Sequence, residues 1–335
     1  MALITGTEGI DVPVEVLVLT KGEIESLLSY QEVIDVDEEV YRARGRREVM
    51  VPAKEFMYID PPDNRNCFIA MPAFDRHLGC AGVKWTPDYF NQQPGIPTLW
   101  GAVIILNRED NGQPYAIMDG TAITNVRTGA HSSVAAKYLA RKDSRVIAVI
   151  GCGAQARTHV HALSTLFNIE AVQAFDARSE AVDAFARETG SYLGVQVRPA
   201  PDAKQACQDA DVICVVTTAK TPVIMEPWVP PGCFVTGLMG FLDMDTQIAW
   251  KVDKWVVGDG ETDPAICRSY GFDVDYSRIY ADMGELTLGR KPGRENDRER
   301  TLYTHFGMGA HDLAVANLVY SRAVESGVGR KMALI

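Results

Sequence analysis

Six consecutive residues, Gly151-Cys-Gly-Ala-Gln-Ala156, have the types and spacing to hold a pyrophosphate. Gly151 permits a tight turn and Gly153 lets the backbone approach the phosphates. A helix starting here would offer its free N–H groups and its dipole to the negative charge. Ala156 stands in the place of a third glycine, a replacement the pattern permits. Such a turn by itself also occurs where nothing binds, so its context carries the reading. The apolar run Val146-Ile-Ala-Val-Ile150 enters the turn without a spacer, as a strand buried on both faces does. Ala156, Val160, Leu163 and Phe167 follow at helical spacing. Ala171-Val-Gln-Ala-Phe175 then reads as a second strand ending at Asp176, where an acid meets the adenosine ribose hydroxyls. The sequence thus predicts a dinucleotide site built on Gly151, Gly153, Ala154, Gln155 and Asp176. A carboxylate at 176 repels a 2′-phosphate and favours NAD(H) over NADP(H), a preference that Arg178 softens.

The elements that position this turn alternate along the second half of the chain. Strands are predicted at 145–150, 171–175, 194–198, 211–217, 233–238 and 254–258, with helices at 155–167, 179–190 and 202–208. This is the rhythm of a parallel, doubly wound sheet. Residues 289–300 read as a solvated charged loop, and a last helix at about 308–326 returns to the first part of the chain. The first 120 residues are strand-rich. Strands are predicted at 14–19, 48–59, 66–71, 79–86 and 100–106, the last with a hairpin partner at 115–118. One helix is opened by Thr20 with Glu23 as a capping box, and a second spans about 31–44. Another helix runs from Thr124 to Ala140. The fold class is α/β: a doubly wound sheet at 129–307 inserted in an α+β unit made of 1–128 and 308–335.

Composition narrows the partners. The net charge of −11 argues against nucleic acid or an anionic membrane. No apolar run is long enough to span a bilayer, and the first residues lack the basic and apolar segments of a signal peptide. The seven cysteines are scattered with no CxxC pair, which suits free thiols in a reducing cytoplasm. His159 and His161 lie two apart on a predicted helix and point different ways, so no metal site is expected.

In order along the chain, Gly82-Val-Lys-Trp85, Thr124-Asn-Val-Arg-Thr-Gly-Ala130, Gly151-Cys-Gly-Ala-Gln-Ala156, Thr217-Thr-Ala-Lys-Thr-Pro222, Gly289-Arg-Lys-Pro-Gly-Arg294 and Gly307-Met-Gly-Ala-His-Asp-Leu-Ala314 resemble the ornithine cyclodeaminase/μ-crystallin family. The likeness covers most of the chain. It implies a Rossmann domain set into a substrate domain whose strands build a homodimer. It also implies hydride transfer between a nicotinamide and the α-carbon of a small amino, imino or keto acid. Its catalytic lysine falls on Lys84. A lysine at the end of an apolar strand, facing a cleft, loses solvent and with it basicity, so that it can exchange protons near neutrality; Lys84 can also hold the substrate carboxylate, together with Lys54 and Arg127. Arg127 matches an arginine beside the substrate carboxylate, a task its fork suits. Thr128 and its neighbouring N–H groups would face the pyrophosphate. Thr217 and Thr218 would close the fourth strand at its ligand edge, and Leu238 and Met239 would line the nicotinamide.

Three departures bear on the chemistry. Pro52-Ala-Lys54 has lysine where many members have arginine, which keeps the charge without the fork; some opine-type members share it. Ile69 stands where the cyclodeaminases have a glutamate for the distal amine. Gly237-Leu-Met-Gly-Phe-Leu-Asp-Met-Asp245 is shortened and lacks their catalytic aspartate, with Asp243 and Asp245 matching a later structural pair. The expected function is therefore an NAD(H)-dependent amino-acid dehydrogenase or imine reductase, opine-type condensation included. A cyclodeaminase and a non-catalytic, crystallin-like cofactor binder stay as alternatives. The pocket lining is expected from loops at about 56–67 and 85–98.

Overall fold

In the computed structural model the described residues are 14–59, 66–88 and 101–334. The first strand, β1 (Glu15–Leu19), runs into α1 (Lys21–Leu27), where the Glu23 carboxylate accepts from the backbone N–H and the hydroxyl of Thr20 at 2.8 and 2.7 Å. This is the expected cap. After α2 (Tyr30–Gly45) the expected strand at 48–59 is broken into β2 (Val49–Met50) and β3 (Glu55–Tyr58). Pro52 in the break has no N–H to give a ladder, and the break presents Lys54. Then come β4 (Cys67–Asp75), β5 (Cys80–Asp88), β6 (Val103–Arg108) and β7 (Pro114–Asp119). Trp100, expected to start the β6 strand, lies outside the described residues, as do 60–65 and 89–98 of the two pocket loops.

The next helix, α3 (Gly120–Leu139), starts four residues earlier than the sequence suggests, because the Asp119 carboxylate accepts the Ala122 N–H at 2.7 Å and caps it there. Its apolar residues are buried nearly all round: Ala122, Ile123, Val134, Ala135, Ala136 and Leu139 are at most 1% exposed. Each large one contributes about 1.5–3 kcal/mol. One side of α3 packs on α2 and on β5 and β6.

The second sheet opens with β8 (Val146–Ile150), α4 (Ala154–Leu166), β9 (Ala171–Phe175), α5 (Ser179–Leu193), β10 (Gln196–Pro199), α6 (Ala203–Cys207), β11 (Val212–Val215) and β12 (Phe234–Gly237). It continues through α7 (Gln247–Lys251), β13 (Lys254–Val257), α8 (Thr262–Ser269), β14 (Ile279–Asp282), α9 (Met283–Thr287) and β15 (Thr301–Thr304). The chain closes with α10 (Gly309–Ser326) and β16 (Arg330–Ala333).

The two sheets are separate. One has the order β16-β1-β7-β6-β5-β4-β2, with β3 also on β4; the other is parallel throughout, in the order β10-β9-β8-β11-β12-β15-β13-β14. The six parallel strands read from the sequence are all present. Two more join them, and β15 is wedged between β12 and β13. Its Thr-Leu-Tyr-Thr has no apolar run, yet all four residues are buried. The 289–300 segment is a largely exposed connection, as expected, but it is tied down at several points. Arg294 donates to the carbonyls of Leu139 and Glu299, each at 2.7 Å, and Lys254 pairs with Glu295 at 2.6 Å, clamping the segment to the end of α3. On the other sheet, α10 packs against β4, β5 and β6, as expected of a returning helix.

Candidate functional site

The glycine turn has the geometry its sequence requires. Gly151 has φ +94°, and a Cβ there would lie 2.8 Å from the Val216 carbonyl oxygen. Only glycine fits. Gly153 is the N-cap of the 13-residue α4, and a Cβ on it would meet nothing within 4 Å, so the space over the first turn is open. No side chain caps α4, which leaves the N–H groups of Ala154 and Gln155 directed at that space. The Asp176 carboxylate accepts from the Cys152 N–H and the Arg178 N–H, both at 2.9 Å, so it is fixed at the rim of the turn with lone pairs to spare. The Arg178 side chain is 76% exposed and its guanidinium is 3.7 Å from Asp176. An open cradle of free N–H groups with a fixed acid beside it fits an adenine dinucleotide.

Other residues named from the sequence take different places. Thr217 donates to Asp243 at 2.8 Å, while Thr218 is exposed at the same strand end. Leu238 and Met239 are partly exposed just past β12. Asp243 and Asp245 are structural, Asp245 accepting from the Glu226 and Gln247 N–H groups at 3.2 and 3.0 Å. Thr128 is a correction. Because α3 begins at Gly120, the N–H groups around 128 lie in mid-helix and are used by its own ladder. The Thr128 hydroxyl donates to the Thr124 carbonyl at 2.6 Å.

Lys84 is also placed differently from the expectation. It sits in the middle of β5, between Met71 of β4 and Ile104 of β6, rather than at a strand end. Its side chain is 2% exposed and its Nζ is 2.8 Å from both oxygens of Asp312 and 3.1 Å from Thr124 Oγ1. Arg127 Nε is 3.0 Å from Asp312 Oδ1, and the guanidinium lies over Gly307, where a Cβ would be 2.6 Å from it. Lys54, half-buried in the break between β2 and β3, donates to the Phe306 carbonyl.

Burial lowers Lys84 towards about 7, helped by Arg127 and Lys54 and resisted by Asp312. Lys54 is lowered too, by burial against the pull of Asp263. Burial opposes ionisation of Asp312, but Arg127 and Lys84 outweigh it and hold its carboxyl below the ordinary value. Asp263, beside Lys54, is pushed up by burial. Lys84 and Arg127 thus share one carboxylate with Lys54 close by, and this group of basic side chains suits an anionic substrate.

One helix ties this cluster to the glycine turn. On α3, Thr124 bonds Lys84, Asn125 accepts from Gln155 Nε2 at 3.2 Å, and Arg127 pairs with Asp312. A basic amine, a carboxylate-binding cation and a nucleotide cradle are therefore held in one register.

The family model for the ornithine cyclodeaminase/mu-crystallin family matches residues 14–327. The chain belongs to this family. It is 36% identical over 332 residues to alanine dehydrogenase of Archaeoglobus fulgidus, covering 95% of this chain and 98% of that one. Two solved structures superpose closely. The pyrroline-2-carboxylate reductase of Thermococcus litoralis, in complex with NADH and L-proline, has TM-score 0.88 and 33% identity over 94% of this chain and 99% of that one. An archaeal alanine dehydrogenase dimer with bound NAD has TM-score 0.87 and 34% identity over 96% and 100%.

Sequence reasoning missed Asp312, Thr124 and Asn125 as site residues, although all three lie inside motifs it had marked. The usable signal was electrostatic. A lysine on a buried strand needs a buried acid, and Asp312 stands in the buried first turns of α10, among Ala310, Leu313, Ala314 and Val315.

Proposed function

We propose that this protein is an NAD(H)-dependent oxidoreductase acting on the C–N bond of a small α-amino or α-imino acid. The observation that carries the reading is Lys84, buried and depressed towards about 7, sharing Asp312 with Arg127 on the helix that also holds the dinucleotide turn. Gly151, Gly153, Ala154 and Gln155 hold the pyrophosphate and Asp176 the ribose. Thr217, Thr218, Leu238 and Met239 border the nicotinamide side. The nicotinamide, when bound, supplies or takes up a hydride at the substrate α-carbon. Arg127 and Lys54 hold the substrate carboxylate and thereby orient that carbon. Lys84 gives a proton to the substrate nitrogen during reduction and takes it back during oxidation. Asp312 keeps Lys84 aimed and Arg127 in place. Ile69, paired with Thr86, lies on the same sheet face as Lys84, so this position itself offers no carboxylate to a distal amine. This favours dehydrogenation or imine reduction over cyclodeamination.

We also infer a homodimer through the outer face of the first sheet. There Trp85 stacks on Phe68 at 5.3 Å, and Met50, Met57, Trp85 and Val103 are 37–60% exposed. The division into a 129–307 nucleotide domain and a 1–128 plus 308–335 substrate domain follows the two sheets. No helix among the described residues is long and apolar enough to cross a membrane, and all seven cysteines are free and buried, which supports a cytoplasmic location.

The test follows NADH consumption with pyruvate and other keto acids plus ammonia, methylamine or a second amino acid, and with preformed cyclic imines, using Lys84→Ala as control. Oxidation lost in the variant supports the proposal. Ammonia release from ornithine or lysine without net NADH change would replace it with a cyclodeaminase.

A further inference from the structure

On α10, next to Asp312, a second polar cluster is sealed in the core, and nothing in the proposed chemistry uses it. Asp37 of α2, His131 of α3 and His311 of α10 are all 0% exposed. Asp37 Oδ1 is 2.9 Å from His311 Nδ1, and Asp37 Oδ2 is 3.5 Å from His131 Nε2. One donor atom from each residue lies within 4.8 Å of the other two. The two imidazoles are 4.1 Å apart between centroids, and Tyr41 sets its edge against both. His305, 2% exposed, brings its Nδ1 to 3.4 Å from His131 Nδ1, which turns the His131 Nε2 towards Asp37. Asp37 Oδ2, His131 Nε2 and His311 Nε2 have no hydrogen-bond partner although they are fully buried. Buried polar atoms without partners are few in native cores, and several at one point call for an explanation, a bound ion among them.

We propose that Asp37, His131 and His311 bind one divalent transition-metal ion of the zinc type. Two imidazole nitrogens with one carboxylate oxygen are the donors such ions take, whereas calcium and magnesium demand oxygen. Bonds of about 2.0–2.2 Å at tetrahedral angles place ligand atoms roughly 3.3–3.5 Å apart; here the two imidazoles stand 2.9 and 3.5 Å from the two oxygens of Asp37, close enough for small side-chain shifts to reach that spacing. The His131–His305 contact is the outer-shell bond that fixes a ligand ring. An ion here pins α2, α3 and α10 together one residue from Asp312. Its role is structural, and the inference stands whether or not the proposed reaction is correct.

The test is metal content. Untagged full-length protein, purified without chelator from zinc-supplemented cells, is analysed by plasma mass spectrometry. About one zinc per chain is expected. Cobalt-substituted protein should show visible d–d absorption, and 1,10-phenanthroline should lower Tm. The variants Asp37→Asn and His131→Gln, checked for folding by circular dichroism, should retain less than about a tenth of the metal. Wild-type protein that holds less than about 0.1 ion per chain, even after incubation with zinc, and whose Tm ignores the chelator would overturn the proposal. So would equal zinc in wild type and folded variants, which would locate the ion at surface histidines. The wild-type content and cobalt spectrum judge the proposal even if no variant folds.

Discussion

Asp312→Asn is the most informative single change, because one carboxylate holds both Lys84 and Arg127. The amide keeps the size and removes the charge. Stranding a buried cation costs about 3–5 kcal/mol. Lys84, already lowered towards about 7, can shed its proton, whereas Arg127 cannot. The loss should therefore fall near the lower end, about 3 kcal/mol. A chain of 335 residues has an unfolding entropy of about 0.7 kcal/mol per kelvin, so Tm should fall by about 4 °C. The kinetic effect has a definite sign. Asp312 raises the basicity of Lys84, so its removal lowers it further. In reduction Lys84 must be protonated, and the wild-type rate should fall as pH rises through about 7. In oxidation it must be neutral, and the rate should rise over the same range. Moving the lysine down by about one pH unit cuts its protonated fraction at pH 7 about five-fold. The assay is kcat/KM for reduction against pH, with NADH affinity followed separately by fluorescence. A limb that stays in place or moves to higher pH refutes the reasoning, as does an unchanged Tm.

Three further outcomes test the rest of the site. Gly151→Ala should weaken NADH binding at least about ten-fold and cost about 1–3 kcal/mol, since its φ of +94° and the 2.8 Å approach to Val216 leave no room for a methyl group; titration calorimetry checks the binding and denaturant unfolding the stability. Asp176→Asn should move the ratio of NADH to NADPH efficiency towards NADPH by about ten-fold or more by removing the repelling charge, and an unchanged ratio would place the ribose elsewhere. Trp85→Glu should shift the protein from dimer to monomer in light scattering without unfolding it; a persistent dimer would move the interface off that sheet face.

The parallel sheet was legible because its strands are plain. Val146–Ile150 is an uninterrupted apolar run, and its turn demands glycine at 151 for a reason written in the residue itself. The short β15 was illegible for the converse reason. Thr, Leu and Tyr all suit a strand, but four residues with neither an apolar run nor alternation are too short a signal, and the groove between β12 and β13 decides their conformation. The start of α3 was hidden in a hairpin ending, where Asp119 serves both as the last strand residue and as the helix cap. Lys84, Lys54 and Arg127 could be named from motifs. Asp312 could not be joined to them, since a separation of 228 residues closes only in the folded chain. The same holds for Asp37, His131, His305 and His311, which no local spacing brings together.

The wedged position of β15 also has a consequence for biosynthesis. β12 and β13 leave the ribosome before β15, yet they do not pair with each other, and each waits with an open edge for residues 301–304. The 47 residues between the end of β13 and the end of β15 take roughly 2–9 s to make at about 5–20 residues per second. During that interval two hydrophobic strands expose unpaired backbone, the condition under which nascent chains pair with the wrong partner. The nucleotide sheet is closed from its middle rather than from an end, so a chain stalled before Thr301 is a half-zipped sheet and a natural client for chaperones.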